Sequence, residues 1–413
     1  MDHFIYRDSE LHAEGVPLSR IAREVGTPVY VYSSGTFEGH LAAFDRAFAP
    51  VPHLVCYSVK VASNLALLAK VAKLGLGADI VSGGELFRAL RAGVQAGKIV
   101  YSGVGKTPAE IKEALAAGIL AFNVESGPEL AAVSQIARDM GKKAPVAFRV
   151  NPDVDPGTHP YVATGLKESK FGVPVDEAFG LYLRAKDDPA IEIVGIDCHI
   201  GSQLTSVAPF VDTVARLRAL IARLREAGIA ISHIDLGGGL GITYLDETPP
   251  SPAEYAQSVI GALAGEKATL IFEPGRVVAG NAGVLVVQVL YDKITPGKRF
   301  LVTDGAMNDL IRPSLYGSHH GIVPVARGQA APVTVNVVGP VCESGDFLAK
   351  DRPIPPVPQG GYLAVKSAGA YGFSMSSNYN SRPRAAEVLV EGDSYRVIRA
   401  RETREDLIRG ETL

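Results

Sequence analysis

Short apolar runs alternate with helical patterns between about residues 50 and 280. Eight of these runs are rich in β-branched and aromatic residues, and each is followed by helical sequence or by a loop leading into it. Near-continuous apolar character indicates strands covered on both faces, and alternation with helices indicates a parallel sheet. The runs are HLVCYSVK from His53, GADIVS from Gly77, KIVYSG from Lys98, LAFNVES from Leu120, APVAFRVN from Ala144, IEIVGIDCHIGS from Ile191, ISHIDLGGG from Ile231 and ATLIFEPGR from Ala268.

Eight strand-and-helix units predict a closed (β/α)8, TIM-type barrel. An open doubly wound sheet is the alternative that the same pattern permits. Helix ends carry their own signals: Ser63 is a candidate N-cap and Gly75 a stop for the first helix, and Thr107-Pro108 and Gly118 bracket another.

After Arg276 the pattern becomes β-rich, with frequent turns and little helical periodicity. This predicts an α/β protein with residues 30–280 as the barrel. Residues 1–29 and 281–413 are then a separate all-β domain, sandwich-like or barrel-like. RPIPPVPQGG from Arg352 is expected to be a loop, and residues 153–172, which contain SKFG, are a candidate for a long loop that closes over a site.

Composition narrows the class of protein. The chain has 413 residues and a net charge of 41 − 44 = −3, which argues against a nucleic-acid partner and against a polybasic membrane surface. No apolar run is long enough for a membrane span, and the N-terminus has no signal-peptide pattern. Three cysteines in a chain of this length indicate a reducing compartment, so a cytoplasmic location is expected.

Polar and glycine residues follow nearly every predicted strand, and in a barrel these ends meet at one rim, where catalytic residues lie. Gly237–Gly239 could cradle a phosphate, and Gly275-Arg276 could add a backbone N–H and a cation. Lys60 could form a Schiff base, Glu273 could pair with a pyridinium nitrogen, and His199 could lie over a ring. These fixtures fit pyridoxal phosphate. The alternatives are a flexible turn for the glycines, a solvated strand end for Lys60, a salt bridge with Arg276 for Glu273, and a packed ring for His199.

Several motifs resemble those of the diaminopimelate decarboxylases, which combine an alanine-racemase-like barrel with a β domain. The likeness runs over nearly the whole chain. EPGR and HIGSQ belong to the wider decarboxylase group, whereas MNDLIRPSLYG, GPVCESGD and AGAYGFSMSSNYNSRP are more specific to the diaminopimelate branch. The motifs are CYSVK with Ser63-Asn64, HIGSQ, GGGLG, EPGR, MNDLIRPSLYG, GPVCESGD and AGAYGFSMSSNYNSRP.

The resemblance implies a role for each matching residue. Lys60 would hold the cofactor as a Schiff base, His199 would stack on its ring, and Glu273 would pair with the ring nitrogen. Cys342 would return a proton to the carbanion, and Glu343 would hold the distal ammonium of the substrate. Contact with the phosphate or the rest of the cofactor is implied for Ser202, Gly237, Gly238, Gly239, Pro274, Gly275 and Arg276. Binding of the distal carboxylate is implied for Arg276, Arg312 and Tyr316. Contact with both cofactor and substrate is implied for Tyr371.

The resemblance therefore implies conversion of meso-2,6-diaminopimelate to L-lysine and carbon dioxide, the last step of lysine biosynthesis. It also implies an obligate homodimer in which Cys342 and Glu343 reach the neighbour's site. A decarboxylase of ornithine, lysine or a carboxylated polyamine is a close alternative. A non-catalytic pyridoxal-phosphate-binding regulatory protein is a more distant one, and a racemase would need a tyrosine as its second acid.

Some residues depart from the pattern or carry no role. The family usually has Asn where this chain has Ala62. Without metal-ligand spacing, Cys56 and Cys198 are expected to be core residues, and no metal is expected. His319-His320 is expected to be an exposed loop pair. The alternative interpretation of MNDLIRPSLYG and GPVCESGD is that Arg312 and Glu343 are surface charges and Cys342 is a buried small side chain.

Overall fold

The computed structural model describes residues 2–154 and 170–413. The chain forms two compact units: Met1–His40, Thr243–Glu247 and Val278–Leu413 make up one, and Leu41–Ile242 with Thr248–Val277 make up the other. The sequence prediction divided the chain after residues 29 and 280. In the structure the corresponding divisions follow His40 and Val277. Most of the predicted closing loop at 153–172 falls on residues 155–169, outside the described part.

Twenty-one strands are described. They are β1 (Phe4–Arg7), β2 (Glu10–Ala13), β3 (Val16–Pro17), β4 (Val29–Ser33), β5 (His53–Ser58), β6 (Gly77–Ile80), β7 (Ile99–Tyr101), β8 (Ala121–Val124), β9 (Ala144–Asn151), β10 (Val173–Pro174), β11 (Ile191–Asp197), β12 (His233–Asp235), β13 (Thr269–Phe272), β14 (Gly283–Thr295), β15 (Lys298–Thr303), β16 (Ile322–Pro324), β17 (Val333–Val338), β18 (Phe347–Ile354), β19 (Tyr362–Val365), β20 (Ala386–Glu391) and β21 (Ser394–Arg399).

The described α-helices, twelve in number, connect or flank these strands. They are α1 (Leu18–Val25), α2 (Ser34–Ala47), α3 (Leu65–Lys73), α4 (Gly83–Arg91), α5 (Pro108–Ala117), α6 (Gly127–Asp139), α7 (Val175–Lys186), α8 (Ala208–Glu226), α9 (Pro252–Ala262), α10 (Arg276–Ala279), α11 (Arg312–Tyr316) and α12 (Arg404–Leu407). Short 3-10 turns cover Val59–Val61, Ala96–Lys98, Phe373–Met375 and Tyr379–Ser381.

Eight parallel strands close on themselves in the second unit, in the order β5-β6-β7-β8-β9-β11-β12-β13. Closure requires that the first and last strands pair, and they do so at Leu270 with His53. Strands β8 and β9 also pair, with Phe122 opposite Val146, so the ring has no open edge there. All eight predicted strands are confirmed, and the doubly wound alternative is excluded because it would leave two unpaired edges.

Helix boundaries follow local hydrogen bonding. Thr107 and Glu110 cap α5 reciprocally, and Gly118 ends this helix in a left-handed conformation, as the sequence predicted. The Ser63 prediction is wrong by one residue, because the Asn64 side chain is the group that accepts the Ala66 backbone N–H and caps α3.

The first unit is built on a mixed sheet around the long strand β14. One path through it runs β18-β17-β15-β14-β4-β20-β21, with β19 also pairing with β14 and with β16. Strand β4 pairs antiparallel with β14 and parallel with β20, so the N-terminal segment is built into the same sheet. A three-stranded sheet of β1, β2 and β3 packs with it through a shared apolar cluster that includes Leu11, Val31 and Val388.

One loop prediction in this unit needs correction. The first three residues of RPIPPVPQGG complete strand β18, whose Pro353 lies opposite Thr334. Strand β18 is at the edge of the sheet path, where a residue without a backbone N–H is tolerated. Within the described residues, no helix combines the length and the apolar character needed to cross a bilayer.

Candidate active site

Lys60 lies on the 3-10 turn that directly follows barrel strand β5. Its Nζ forms an ion pair with Oδ2 of Asp79 at 2.7 Å, and the Ser58 hydroxyl donates to the same oxygen at 2.6 Å. Asp79 is fully buried on the neighbouring strand β6. The adjacent strand therefore supplies a fixed carboxylate that holds the Lys60 amine at the C-terminal rim of the barrel.

Glu273 follows strand β13 and is buried in the barrel. Its Oε1 accepts a hydrogen bond from the Ser102 hydroxyl at 3.3 Å, and that hydroxyl accepts one from the Asn123 side-chain amide at 3.1 Å. Ser102 and Asn123 come from the ends of β7 and of β8, so two other strands orient this carboxylate. Because the Ser102 hydroxyl accepts from the Asn123 amide, its own proton is directed toward Glu273.

Two more carboxylates lie beside Glu273. Oxygen atoms of Asp197, Asp235 and Glu273 are all within 4.8 Å of one another, and all three residues are buried. Burial, followed by the repulsion of neighbouring carboxylates, raises the pKa of Glu273 and of Asp197 well above their usual range. Burial raises the pKa of Asp235 to about 7. This interior therefore favours a bound cation, or a ligand N–H group, beside Glu273.

The glycines at the ends of β12 and β13 are required by close contacts. A Cβ on Gly238 would lie 2.4 Å from the carbonyl oxygen of Glu273, and one on Gly275 would lie 2.3 Å from a Val61 methyl carbon. Neither contact leaves room for a side chain. The EPGR turn consequently packs directly on the Lys60 turn and on the glycine turn, which brings these three motifs together at the rim.

His199 accepts a hydrogen bond through Nδ1 from the backbone N–H of Gly238, at 3.2 Å. Nδ1 therefore carries no proton, and the neutral ring carries its proton on Nε2. Desolvation, followed by the nearby Arg149 and Lys60 cations, holds the pKa of His199 well below its usual range. Both observations describe a neutral imidazole at the rim.

Ser202 and Arg276 form a second polar group at the rim. The Ser202 hydroxyl accepts from Nε of Arg276 at 3.2 Å and from Nη2 at 3.0 Å. Arg276 is buried although it opens the short helix α10. A hydroxyl and a buried guanidinium therefore lie together, an arrangement that suits an anionic ligand.

The first unit contains the other predicted site residues. Arg312 opens α11 and is buried, so its interpretation as a surface charge is wrong. Its guanidinium carbon lies 5.3 Å from the ring centre of Tyr244 and 5.7 Å from that of Tyr316. The exposed pair predicted at His319-His320 is also wrong, because His320 is completely buried and accepts a hydrogen bond from Arg312.

Cys342 and Glu343 are exposed on the loop between β17 and β18. The Asn380 side chain accepts the Cys342 backbone N–H at 2.9 Å, and Asp346 accepts the Val341 N–H at 2.7 Å. The alternative view of Cys342 as a buried small side chain is therefore wrong. Tyr371, the last predicted site residue, adopts a left-handed backbone conformation with φ of +56°.

Sequence reasoning missed the acidic residues inside the barrel strands. Asp79, Asp197 and Asp235 lie within GADI, VGID and HID, which are otherwise apolar runs. An acid in a strand buried on both faces is costly unless it is paired, and that cost is the signal which could have identified them. Cys56 and Cys198 are buried, as predicted.

Comparison with known proteins places these features in a family. Residues 34–280 match the family described as pyridoxal-dependent decarboxylase, pyridoxal binding domain. A diaminopimelate decarboxylase of Pseudomonas aeruginosa is 54% identical over 413 residues, which is 100% of this chain and 99% of the relative. A diaminopimelate decarboxylase of Vibrio cholerae is 53% identical and covers 97% of each chain.

Solved structures agree with this placement. The diaminopimelate decarboxylase of Helicobacter pylori complexed with L-lysine has a TM-score of 0.92 and 42% identity, covering 95% of this chain and 98% of that one. The enzyme of M. jannaschii in complex with L-lysine has a TM-score of 0.96 and 37% identity, covering 100% and 99%. A lysine/ornithine decarboxylase of Vibrio vulnificus, at 21% identity, shares the fold with a TM-score of 0.80.

The tight glycine turn yields a prediction about cofactor affinity. Gly238→Ala must displace the Glu273 backbone. Pyridoxal phosphate should therefore bind to this variant at least about tenfold more weakly than to the wild type in equilibrium dialysis. The matched control is Gly261→Ala on α9, where an added Cβ meets no atom within 4 Å. Equal affinities for the two variants would contradict the packing argument.

Proposed function

We propose a reaction for this chain from the premise that it belongs to the family of pyridoxal-dependent decarboxylases. The reaction removes one carboxylate of meso-2,6-diaminopimelate as carbon dioxide and leaves L-lysine. The observation that carries this conclusion is full-length identity above one half to a protein named diaminopimelate decarboxylase. The cofactor of the family is pyridoxal phosphate.

The described barrel residues fit this cofactor. A ring nitrogen that carries a proton suits the crowded carboxylates around Glu273, and a phosphate suits the turn Gly237–Gly239 with Ser202 and Gly275-Arg276. Lys60 offers the amine that binds the cofactor covalently. When bound, pyridoxal phosphate accepts the electron pair left on the substrate α-carbon as carbon dioxide departs.

The protein groups orient the reacting atoms. Asp79 holds the Lys60 amine at the rim, and a neutral His199 would stack on the cofactor ring without adding a positive charge. Glu273 would keep the ring nitrogen protonated, because the Ser102 hydroxyl orients the carboxylate and the buried carboxylates beside it favour a cation. Pro274 keeps the EPGR turn in place through its carbonyl oxygen, which accepts the Ser58 N–H at 3.2 Å.

Substrate recognition is assigned to charged groups that match its far end. Arg276, Arg312 and Tyr316 bind the distal carboxylate, for which planar guanidinium groups offer paired N–H donors. Glu343 binds the distal ammonium, and Tyr371 contacts cofactor and substrate. The Cys342 thiol returns a proton to the α-carbon after the carboxylate has left, which completes L-lysine.

Cys342 and Glu343 act, we propose, in the site of a second copy of the chain, so the working enzyme is a homodimer. Their exposure on a loop held by Asn380 and Asp346 supports this assignment, because exposed side chains on an ordered loop are available to a neighbour. The cytoplasmic location expected from the sequence stays a prediction.

The alternative substrates differ in charge. Ornithine and lysine lack a second carboxylate, so Arg312 and Tyr316 would have no counterpart on them. A regulatory protein that only binds the cofactor would not need a proton donor at Cys342. The buried Arg312 therefore favours diaminopimelate over ornithine and lysine as the substrate.

The deciding experiment is an assay of the purified protein with pyridoxal phosphate and meso-diaminopimelate. Carbon dioxide release and L-lysine formation, measured by amino-acid analysis, should occur in a one-to-one ratio. Parallel reactions contain ornithine or L-lysine as substrate and should release little carbon dioxide. Release from ornithine or lysine, but not from diaminopimelate, would overturn the proposed substrate.

Lys60→Ala should remove the visible absorbance of the covalently bound cofactor and abolish lysine formation, because the substitution removes the amine that forms the Schiff base. Lys98→Ala is the matched control, since Lys98 lies on the turn before β7 and donates to the Gly75 carbonyl. The control should keep both the colour and the activity. Full colour in Lys60→Ala would refute the assignment.

Shared sites can be tested by mixing two inactive variants. Cys342→Ala should lower kcat by about 10²–10⁴-fold with cofactor still bound, because general acid catalysis contributes that much. An equal mixture of Cys342→Ala with Lys60→Ala should regain about a quarter of wild-type activity, since half of the dimers then contain one intact site. Continued inactivity, after subunit exchange is verified by mass spectrometry, would show that each chain uses its own cysteine.

A further inference from the structure

His320 is a completely buried histidine whose two ring nitrogens are both engaged. Nδ1 lies 2.9 Å from the carbonyl oxygen of Lys366, and Nε2 lies 3.4 Å from Nε of Arg312. A carbonyl can only accept and an arginine Nε–H can only donate. The ring is therefore the neutral tautomer that carries its proton on Nδ1 and presents Nε2 as an acceptor.

The contacts of Arg312 set the orientation of its guanidinium plane. Nε donates to His320, and Nη2 donates to the Ser318 hydroxyl at 3.2 Å. The Tyr244 ring lies 5.3 Å from the guanidinium carbon and also meets the His320 ring edge to face, at 5.3 Å and 79°. Two hydrogen bonds and a shared aromatic neighbour therefore fix the direction in which the buried cation can bind an anion.

We propose that His320 is a positioning residue, which orients Arg312 for the distal carboxylate of the substrate. This inference rests on the proposed role of Arg312 in binding that carboxylate. His320 itself contacts no substrate. It connects the Arg312 side chain to the backbone of Lys366, and thereby converts a long flexible side chain into one with a fixed plane.

The charges around His320 favour the neutral ring. Arg312 faces it from α11, and Nη1 of Arg352 on β18 donates to the His320 carbonyl at 3.0 Å and to Nε2 of His319 at 2.7 Å. The Lys366 ammonium is engaged separately, 3.6 Å from a carboxylate oxygen of Asp2. A proton on Nε2 of His320 would turn the acceptor into a donor facing the Arg312 Nε–H, and would break the connection.

The test uses the holoenzyme and four substitutions, one of which is a control. His320→Asn keeps polar atoms near the Nδ1 position but leaves no acceptor within reach of Arg312, whereas the longer His320→Gln places an amide oxygen near the Nε2 position. Arg312→Gln tests the carboxylate-binding role itself. His319→Asn is the neighbouring control. Bound cofactor and thermal midpoint are measured for every variant.

We expect His320→Asn to raise KM for meso-diaminopimelate about tenfold, since a hydrogen bond to a charged group is lost, with kcat within about twofold. Inhibition by L-lysine, which keeps the distal carboxylate, should weaken by a similar factor. Inhibition by cadaverine, which has no carboxylate, should be unchanged. His320→Gln and His319→Asn should stay within about threefold of wild type.

Each contrary outcome has a distinct meaning. An unchanged KM in His320→Asn, with a raised KM in Arg312→Gln, would overturn the inference and leave the proposed function standing. An unchanged KM in both would overturn the role of Arg312 and the inference with it. Equal losses of lysine and cadaverine affinity, or loss of cofactor or of thermal stability in His320→Asn, would show a structural role and would also overturn it.

Discussion

Buried negative charge is the constraint around which the barrel unit is organised. Asp79, Asp197, Asp235 and Glu273 enter the interior from four strands, and each is almost completely inaccessible to solvent. Removing carboxylates from water is unfavourable unless cations or hydrogen-bond donors replace the water. The Lys60 amine meets Asp79, whereas burial raises the pKa of Asp197, Asp235 and Glu273, and the charge of Asp235 raises the pKa of the other two further. A ligand with a positively charged ring N–H would relieve this crowding.

The glycine turns are connected to the same acids through the backbone. The Gly237 N–H donates to Asp235 at 2.9 Å, and the Glu273 N–H donates to the Gly237 carbonyl at 2.8 Å. Gly238 then presents its N–H to His199. One chain of hydrogen bonds therefore runs from the acidic interior through the proposed phosphate turn to the imidazole. We therefore expect a single added methyl group at Gly238 to have consequences beyond local packing.

Sequence patterns predicted the barrel and its rim well, because both depend on local information. Apolar runs identify strands, and polar residues after them identify the rim, so Lys60, His199 and Glu273 could be placed at the rim from position alone. The acids within the strands were overlooked because each run looks apolar as a whole. His320 was misjudged because burial of that loop depends on Arg312 and Tyr244, whose contacts with it are set by tertiary packing.

The two buried or partly buried histidines of the proposed site use imidazole in the same way. His199 accepts from the Gly238 backbone and His320 accepts from Arg312, so in each case a neutral nitrogen receives an N–H. Burial, followed by the Arg149 and Lys60 cations, disfavours a proton on His199, and Arg312 and Arg352 face His320. A neutral imidazole can complete hydrogen bonds among cations without adding repulsion, whereas lysine or arginine would add charge and an aliphatic side chain would leave the donor unsatisfied. The cations needed for an anionic cofactor and a dicarboxylate substrate therefore favour neutral histidines as their immediate neighbours.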